Sequence, residues 1–181
     1  MNQPEQADNA GPRVYKVPQG DDRERLTCPD CGFVEYENPR IVVGTVARAE
    51  DERILLCRRA IPPRTGYWTI PAGYMELNET AEEGALRESW EEARARLKLN
   101  GLLAIYSIAR IHQVQLIYRA LLTDPAVSAG PESQEVALFH YDELPWDELA
   151  FPTVQWALQH DHRAHLEGMG KAFANPEGEL L

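Results

Sequence analysis

Apolar residues recur along this chain with two different periods, and the alternation between them marks out the elements. Ile41 to Arg48 and Arg53 to Arg59 are runs rich in Val, Ile and Leu, separated by Ala49-Glu-Asp-Glu52, which predicts a strand, a turn and a second strand in hairpin fashion. Pro62, Pro63 and Gly66 mark a loop, Tyr67 to Ile70 a short strand, and Pro71-Ala-Gly73 a turn. Thr80 followed three residues later by Glu83 fits a capping box. Beyond it Leu86, Trp90, Ala93 and Leu97 repeat at i, i+4, i+7 and i+11, which predicts a helix over about Ala81 to Leu97 with these residues facing the core. Leu102 to Ile111, Val114 to Leu122 and Val136 to Tyr141 read as further strands. Val154, Ala157 and Leu158 suggest a closing helix, and the tail after Gly168 is expected to fray. Strands interleaved with two helices imply an α/β domain.

The ends of the chain follow a different grammar. Met1 to about Arg25 is rich in Pro, Gly, Gln and charge and reads as a loose arm. It leads into Thr27-Cys28-Pro-Asp-Cys31-Gly32, two cysteines flanking a tight turn, and an extended segment from Phe33 to Pro39. The expected organisation is an arm over residues 1–37, a core domain over 38–170 and a tail over 171–181. A chain of 181 residues with 44% apolar and 26% charged residues supports one domain with a sizeable core. The start of the sequence lacks the basic and apolar regions of a secretory signal, and no apolar run approaches membrane-spanning length. With only three cysteines, the expected location is the cytoplasm.

Charge narrows the function classes. A net charge of −11 repels phosphate backbones and anionic lipid, so neither nucleic acid nor a membrane is expected as a partner. Nearly half of that excess sits between Gly73 and Ala95, where seven glutamates face only Arg87 and Arg94 for a local balance of −5. At about 100° per residue, Glu88, Glu91 and Glu92 share one helix face, so like charges converge where a hard divalent cation would supply the counter-charge. Mg2+ or Mn2+ is the expected ion. Arg87, four residues from both Glu83 and Glu91, is placed to hold carboxylates in a fixed geometry. Solvated acidic faces are the commonest explanation of glutamate runs, and an ordinary acidic cation-binding protein is the corresponding alternative.

The spacing decides against that alternative. Gly73, five residues, Glu79, seven residues and then Arg87-Glu88-Ser89-Trp90-Glu91-Glu92 resembles the Nudix box, Gly-x5-Glu-x7-Arg-Glu-U-x-Glu-Glu-x-Gly-U, where U is a bulky aliphatic residue. Three positions depart from it. Ser89 stands where the pattern has a bulky aliphatic, Arg94 where it has Gly, and Ala95 is smaller than usual. The resemblance covers roughly Asn38 to Tyr141 and implies a Nudix α/β/α sandwich with a mixed sheet, cleaving a nucleoside diphosphate linked to another moiety by metal-activated water.

Carried over by position, it implies Glu88, Glu92 and Glu91 with the Ala72 carbonyl as metal ligands, and Arg87 and Glu79 as supports. Outside the box, Glu132 is the candidate base or extra ligand, ahead of Glu135. Arg58, Arg59 and Arg64 are candidate phosphate contacts, with ordinary surface charge the equal alternative, and Tyr106, with Trp68 and Ile108, is a candidate surface for a base, with core packing the favoured alternative. The segment from Val17 through Cys28 and Cys31 to Pro39 is similar to the second half of the zinc ribbon that precedes some Nudix domains. Residues 1–27 hold neither Cys nor His, so a tetrahedral zinc site is not expected from this half alone. A turn kept for its fold is favoured over zinc shared across a dimer, and Cys57 is expected to be a small buried residue. His160, His162 and His165 read as solvated.

The ribbon-like lead-in and Glu132-Ser-Gln-Glu-Val136 are similar to Nudix enzymes acting on ADP-ribose and FAD, and Ile105 to Gln113 lacks the signature of NADH pyrophosphatases. The resemblance also implies a homodimer. A Nudix-fold regulator that binds nucleotide without turnover is the alternative function.

Overall fold

The computed structural model describes residues 11–178 and divides at Asn38 into two compact units. The first carries a three-stranded antiparallel sheet of β1 (Val14–Lys16), β2 (Arg25–Thr27) and β3 (Val34–Glu35), with Val14 opposite Thr27 and Leu26 opposite Glu35. From Val14 to Arg25 the chain therefore holds strand and turn where a loose arm was expected; residues 1–10 of that expectation lie outside the described residues. At the Cys28–Cys31 turn, Cys28 donates its backbone N–H to Phe33 and its carbonyl accepts from Gly32, whose φ of 77° suits a residue without Cβ. The Arg13 guanidinium donates to Asp30 in the same turn at 2.8 Å.

The second unit is built on a mixed sheet. Its strands are β4 (Arg40–Arg48), β5 (Ile54–Arg59), β6 (Trp68–Thr69), β7 (Ala72–Tyr74), β8 (Leu97–Ile108), β9 (Gln113–Leu122) and β10 (Ser133–Phe139). The main path runs β10-β5-β4-β9-β8, with β6 on β5 and β7 on β4. The expected hairpin of β4 and β5 is thin: they pair at Arg48 and Ile54, whereas β4 runs parallel to β9 along its full length, Arg40 beside Gln113 through Arg48 beside Leu121. A strand buried on both faces takes its long partner from across the sequence, and the run Ile41–Ala47, apolar but for Gly44 and Thr45, is the mark of such a strand.

One helix covers each face. In β4, Val43 packs with Ala85 of helix α1 (Ala81–Ala93), Thr45 bonds Ser89 of the same helix, and Ala47 joins Ala93. Val46 points the other way, into a core with Val154, Trp156, Ala157 and Leu158 of helix α2 (Pro152–Glu167), and Arg48 follows it to Asp161. The period of two along β4 thus separates the two helical layers. This is an α/β/α sandwich. Asp161, 1% exposed, accepts from Arg48 Nε at 2.6 Å and Arg119 Nε at 2.8 Å, tying α2 to β4 and β9. No described helix is long and apolar enough to cross a membrane.

Helix α1 starts where the capping box places it: Glu83 N–H donates to Thr80 Oγ1 at 3.2 Å and Thr80 N–H to Glu83 Oε2 at 2.8 Å. It ends at Ala93, four residues before the expected Leu97. Arg94 is left-handed (φ 51°, ψ 25°), its N–H donating to the Ser89 and Trp90 carbonyls, and this is the residue that occupies the glycine position of the box. Such a backbone costs a residue with a Cβ about 1 kcal/mol.

The buried side of α1 also differs from the expected one. Gly84, Ala85, Ser89, Glu92 and Ala93 are covered, while Trp90 is 43% exposed. Small residues let the helix sit close to the sheet, and Ser89 needs no aliphatic bulk because its hydroxyl pairs with Thr45 at 2.9 Å. Downstream, Ala109–Ile111 forms a single 3-10 turn in place of the end of a strand. The tail does not fray over its described part. Phe173 donates its N–H to Leu103, its carbonyl accepts from Ile105, and Asn175 forms two bonds with Ser107. Residues 179–181 lie outside the described residues.

Candidate active site

A cleft of about 1030 Å3 opens beside α1, over the ends of the central strands. Its lining includes the carboxylates Glu76, Glu88, Glu91, Glu92 and Glu132 together with apolar residues, among them Ile70, Ile108, Ile117, Phe151 and Val154. The β7 turn approaches α1 closely enough that a Cβ on Gly73 would meet the Glu88 carboxylate, which would have to shift. Next to it, Ala72 N–H donates to Glu92 Oε2 at 3.1 Å.

Arg87 organises the wall. It grips Glu79 with two bonds, Nε at 2.9 Å and Nη2 at 2.8 Å, and donates to Glu88 at 2.7 Å, Glu91 at 2.9 Å and the Tyr74 carbonyl at 3.0 Å. This bidentate hold, with the Glu76 N–H on the other side, brings the Glu79 carboxyl down to about 2. Burial pushes Glu88 up against the opposing pull of Arg87. Glu92, 6% exposed and without an ion pair among the described residues, is pushed up to about 8 by burial, with Glu88 and Glu132 adding repulsion against the Ala72 hydrogen bond and the more distant Arg59 charge. Carboxylates that are costly to ionise and converge on one another form a hard-oxygen donor set, which fits Mg2+ or Mn2+. Glu88 and Glu92 are the best placed to hold the ion. Glu91 is more exposed and tied to Arg87, and Ala72 lies beside Glu92 on the cleft wall.

The remaining sequence expectations divide. Glu132 lines the cleft, whereas Glu135 faces Arg58 at 3.5 Å. Arg59 lines it as well, Nε on the Pro63 carbonyl at 2.8 Å and its guanidinium over Phe151. Arg58 and Arg64 do not: Arg58 turns to Gly66 and over Trp68, and Arg64 lies over Tyr67 in the connecting loop. Adjacent residues of β5 face opposite sides, so only one of the two arginines can reach the cleft. Tyr106 is fully buried against α2, its hydroxyl 2.8 Å from His160 Nδ1, and offers no surface to a substrate. His160 is accordingly packed between Tyr106 and Phe173, and His162 stacks on Tyr141, so neither is simply solvated. Sequence reasoning missed Arg94 and Arg110, which both line the cleft, and the chain Gln115 to Gln113 to Tyr74 along its floor. The departure from glycine at Arg94 was the one available signal.

In the first unit, Cys28 is buried and Cys31 exposed, and the backbone N–H groups of Cys31 and Asp30 lower the Cys28 thiol. Two thiols do not make a four-ligand zinc site, and among the described residues no group of three or more His, Cys, Asp or Glu is arranged to hold a metal. Cys57 is buried in the core, where burial raises its thiol.

The fold and this acidic wall define a Nudix domain, and comparison with known proteins agrees: residues 38–157 match the NUDIX domain family and residues 10–37 the Nudix N-terminal zinc-ribbon family. The chain belongs to the Nudix family. A solved structure described as a NUDIX hydrolase from Nitrosomonas europaea is 39% identical, covers 93% of this chain and 97% of its own, and superposes with a TM-score of 0.83. Among curated relatives, an ADP-ribose pyrophosphatase of Methanocaldococcus jannaschii is 31% identical over 64% of this chain and 69% of its own length. A MutT-like protein of Streptomyces ambofaciens is 36% identical over 57% of this chain and 64% of its own length, so the match spans less than two thirds of that relative.

Proposed function

We propose that this chain is a divalent-metal-dependent pyrophosphatase that cleaves the diphosphate of a nucleoside diphosphate linked to another moiety, ADP-ribose foremost, and releases a nucleoside monophosphate. The observation that carries the reading is that Glu88 and Glu92, near enough to repel each other, line one cleft together with apolar residues. The carboxylates suit cation and phosphate, the apolar lining a base and sugar. The likeness to an ADP-ribose pyrophosphatase supports that substrate; FAD is kept as a second candidate on the resemblance of the sequence alone.

In this reading Glu88 and Glu92 hold Mg2+ or Mn2+, which when bound neutralises the diphosphate and acidifies a water. Arg87 and Glu79 fix the Glu88 side chain, so that its oxygens are set before substrate arrives. Glu132, on the cleft rim, accepts the proton of the attacking water. Water adds to one phosphorus, the bridging P–O bond breaks, and the second phosphate leaves as a monoester.

Incubating the full chain with ADP-ribose, FAD and NADH, with Mg2+, Mn2+ or EDTA, and identifying products by chromatography tests this. AMP released from at least one substrate only with metal is expected. Absence of turnover on all three would leave the nucleotide-binding regulator as the better reading. The homodimer expected from the resemblance is decided by sedimentation of the same preparation.

A further inference from the structure

Two features of α1 serve neither the core nor the metal-binding wall. Trp90 is a large apolar side chain left 43% exposed on a helix whose other contacts are small. Arg94 keeps a left-handed backbone that glycine would adopt without strain. The two features meet: the Arg94 guanidinium lies over the Trp90 ring at 5.6 Å, and Nη1 donates to the Trp90 carbonyl at 3.3 Å. Arg94 also lies on the rim of the cleft, one helical turn beyond Glu91.

The ion pairs show what this arginine is not for. Four arginines line the cleft. Arg87 is fully engaged by Glu79, Glu88 and Glu91; Arg59, Arg94 and Arg110 form no ion pair with a carboxylate among the described residues, although five glutamates line the same cleft. Arg59 is directed by the Pro63 carbonyl and the Phe151 ring, and Arg110 lies in the 3-10 turn next to Ile111. Arg94 is the cation that directly follows the acidic helix, and an aromatic face restrains it from collapsing onto those glutamates. Once divalent ions neutralise the acids, the anion left for it is the substrate's own diphosphate, which a planar guanidinium holds through paired hydrogen bonds.

We propose that Arg94 is a substrate-binding residue of this cleft that holds a phosphate oxygen of the diphosphate, and that Trp90 is a positioning residue that keeps its guanidinium on the rim. The proposal rests on the hydrolase reading for its substrate and is tested separately from it.

Wild type, R94G, R94K, W90A and R96A are compared by steady-state kinetics on the substrate hydrolysed best, by equilibrium binding of ADP, and by thermal denaturation. R94G is expected to raise KM and the ADP dissociation constant about tenfold, the effect appearing in KM and not in kcat, while its thermal midpoint rises by about 2–4 °C because glycine relieves the left-handed strain. R94K, which keeps the charge and loses the fork, falls between wild type and R94G. W90A raises KM in the same direction. R96A strips the other guanidinium from Trp90, 5.3 Å from the ring and outside the cleft, and leaves KM within about twofold. An R94G protein that is more stable but has unchanged KM and ADP affinity would overturn the proposal and reduce Arg94 to a helix cap. If wild type hydrolyses nothing but binds ADP in a manner that R94G weakens, the hydrolase reading falls and the assignment of Arg94 stands.

Discussion

Glu92 ties stability to function with opposite signs, and Glu92→Gln separates them. In the metal-free protein its carboxyl is moved from an ordinary 4.5 to about 8, burial being the first cause. A carboxyl whose folded value lies above its unfolded value contributes stability that is complete below pH 4.5 and is lost as pH rises toward 8. At pH 7 the 2.5 pH units above 4.5, at about 1.4 kcal/mol each, amount to about 3 kcal/mol of destabilisation. Glutamine removes the charge and keeps a carbonyl for the Ala72 N–H at 3.1 Å. Thermal melts in EDTA at pH 5, 7 and 8.5 are therefore expected to show Glu92→Gln more stable than wild type at pH 7 and 8.5, by about 6–12 °C, with the difference closing at pH 5. Adding Mg2+ stabilises wild type and not the variant, and hydrolysis is lost in the variant. A variant less stable than wild type at pH 8.5 in EDTA would refute the electrostatic reasoning, and a variant that still turns over would remove Glu92 from the metal ligands.

Arg87→Gln frees Glu88 and Glu91 from their common partner, and is expected to lower kcat/KM by about 10- to 100-fold, measured with metal at saturation so that a simple loss of affinity is distinguishable. Asp161→Ala strands Arg48 and Arg119 on the far side of the sheet; urea unfolding is expected to show a loss of about 3–5 kcal/mol, with KM of the folded fraction unchanged because neither arginine lines the cleft.

Local rules carried a good part of the molecule. The capping box set the start of α1, and the spacing of Glu88, Glu91 and Glu92 put three carboxylates on one flank because an α-helix advances by a fixed angle per residue whatever surrounds it. The failures share a cause. Leu86, Trp90 and Leu97 have the apolar period of a core face, but α1 turned a surface of Gly84, Ala85 and Ser89 to the sheet, since close packing on β4 rewarded small side chains. Tyr106 looked available for a base and is sealed against α2, and a tail without periodicity is held by backbone bonds to β8.

The sequence by itself determined most strands of the second unit, the start of α1 and the helix flank its glutamates share, all of them consequences of torsion angles and short-range spacing. Only the tertiary structure decided which other arginines share a cleft with those glutamates. Arg59, Arg94, Arg110 and Glu132 come from four separate segments, brought to one cleft by β4 lying between β5 and a parallel β9 more than sixty residues further along the chain. That strand order is set by the burial of whole faces, a sum over distant residues that no local window contains.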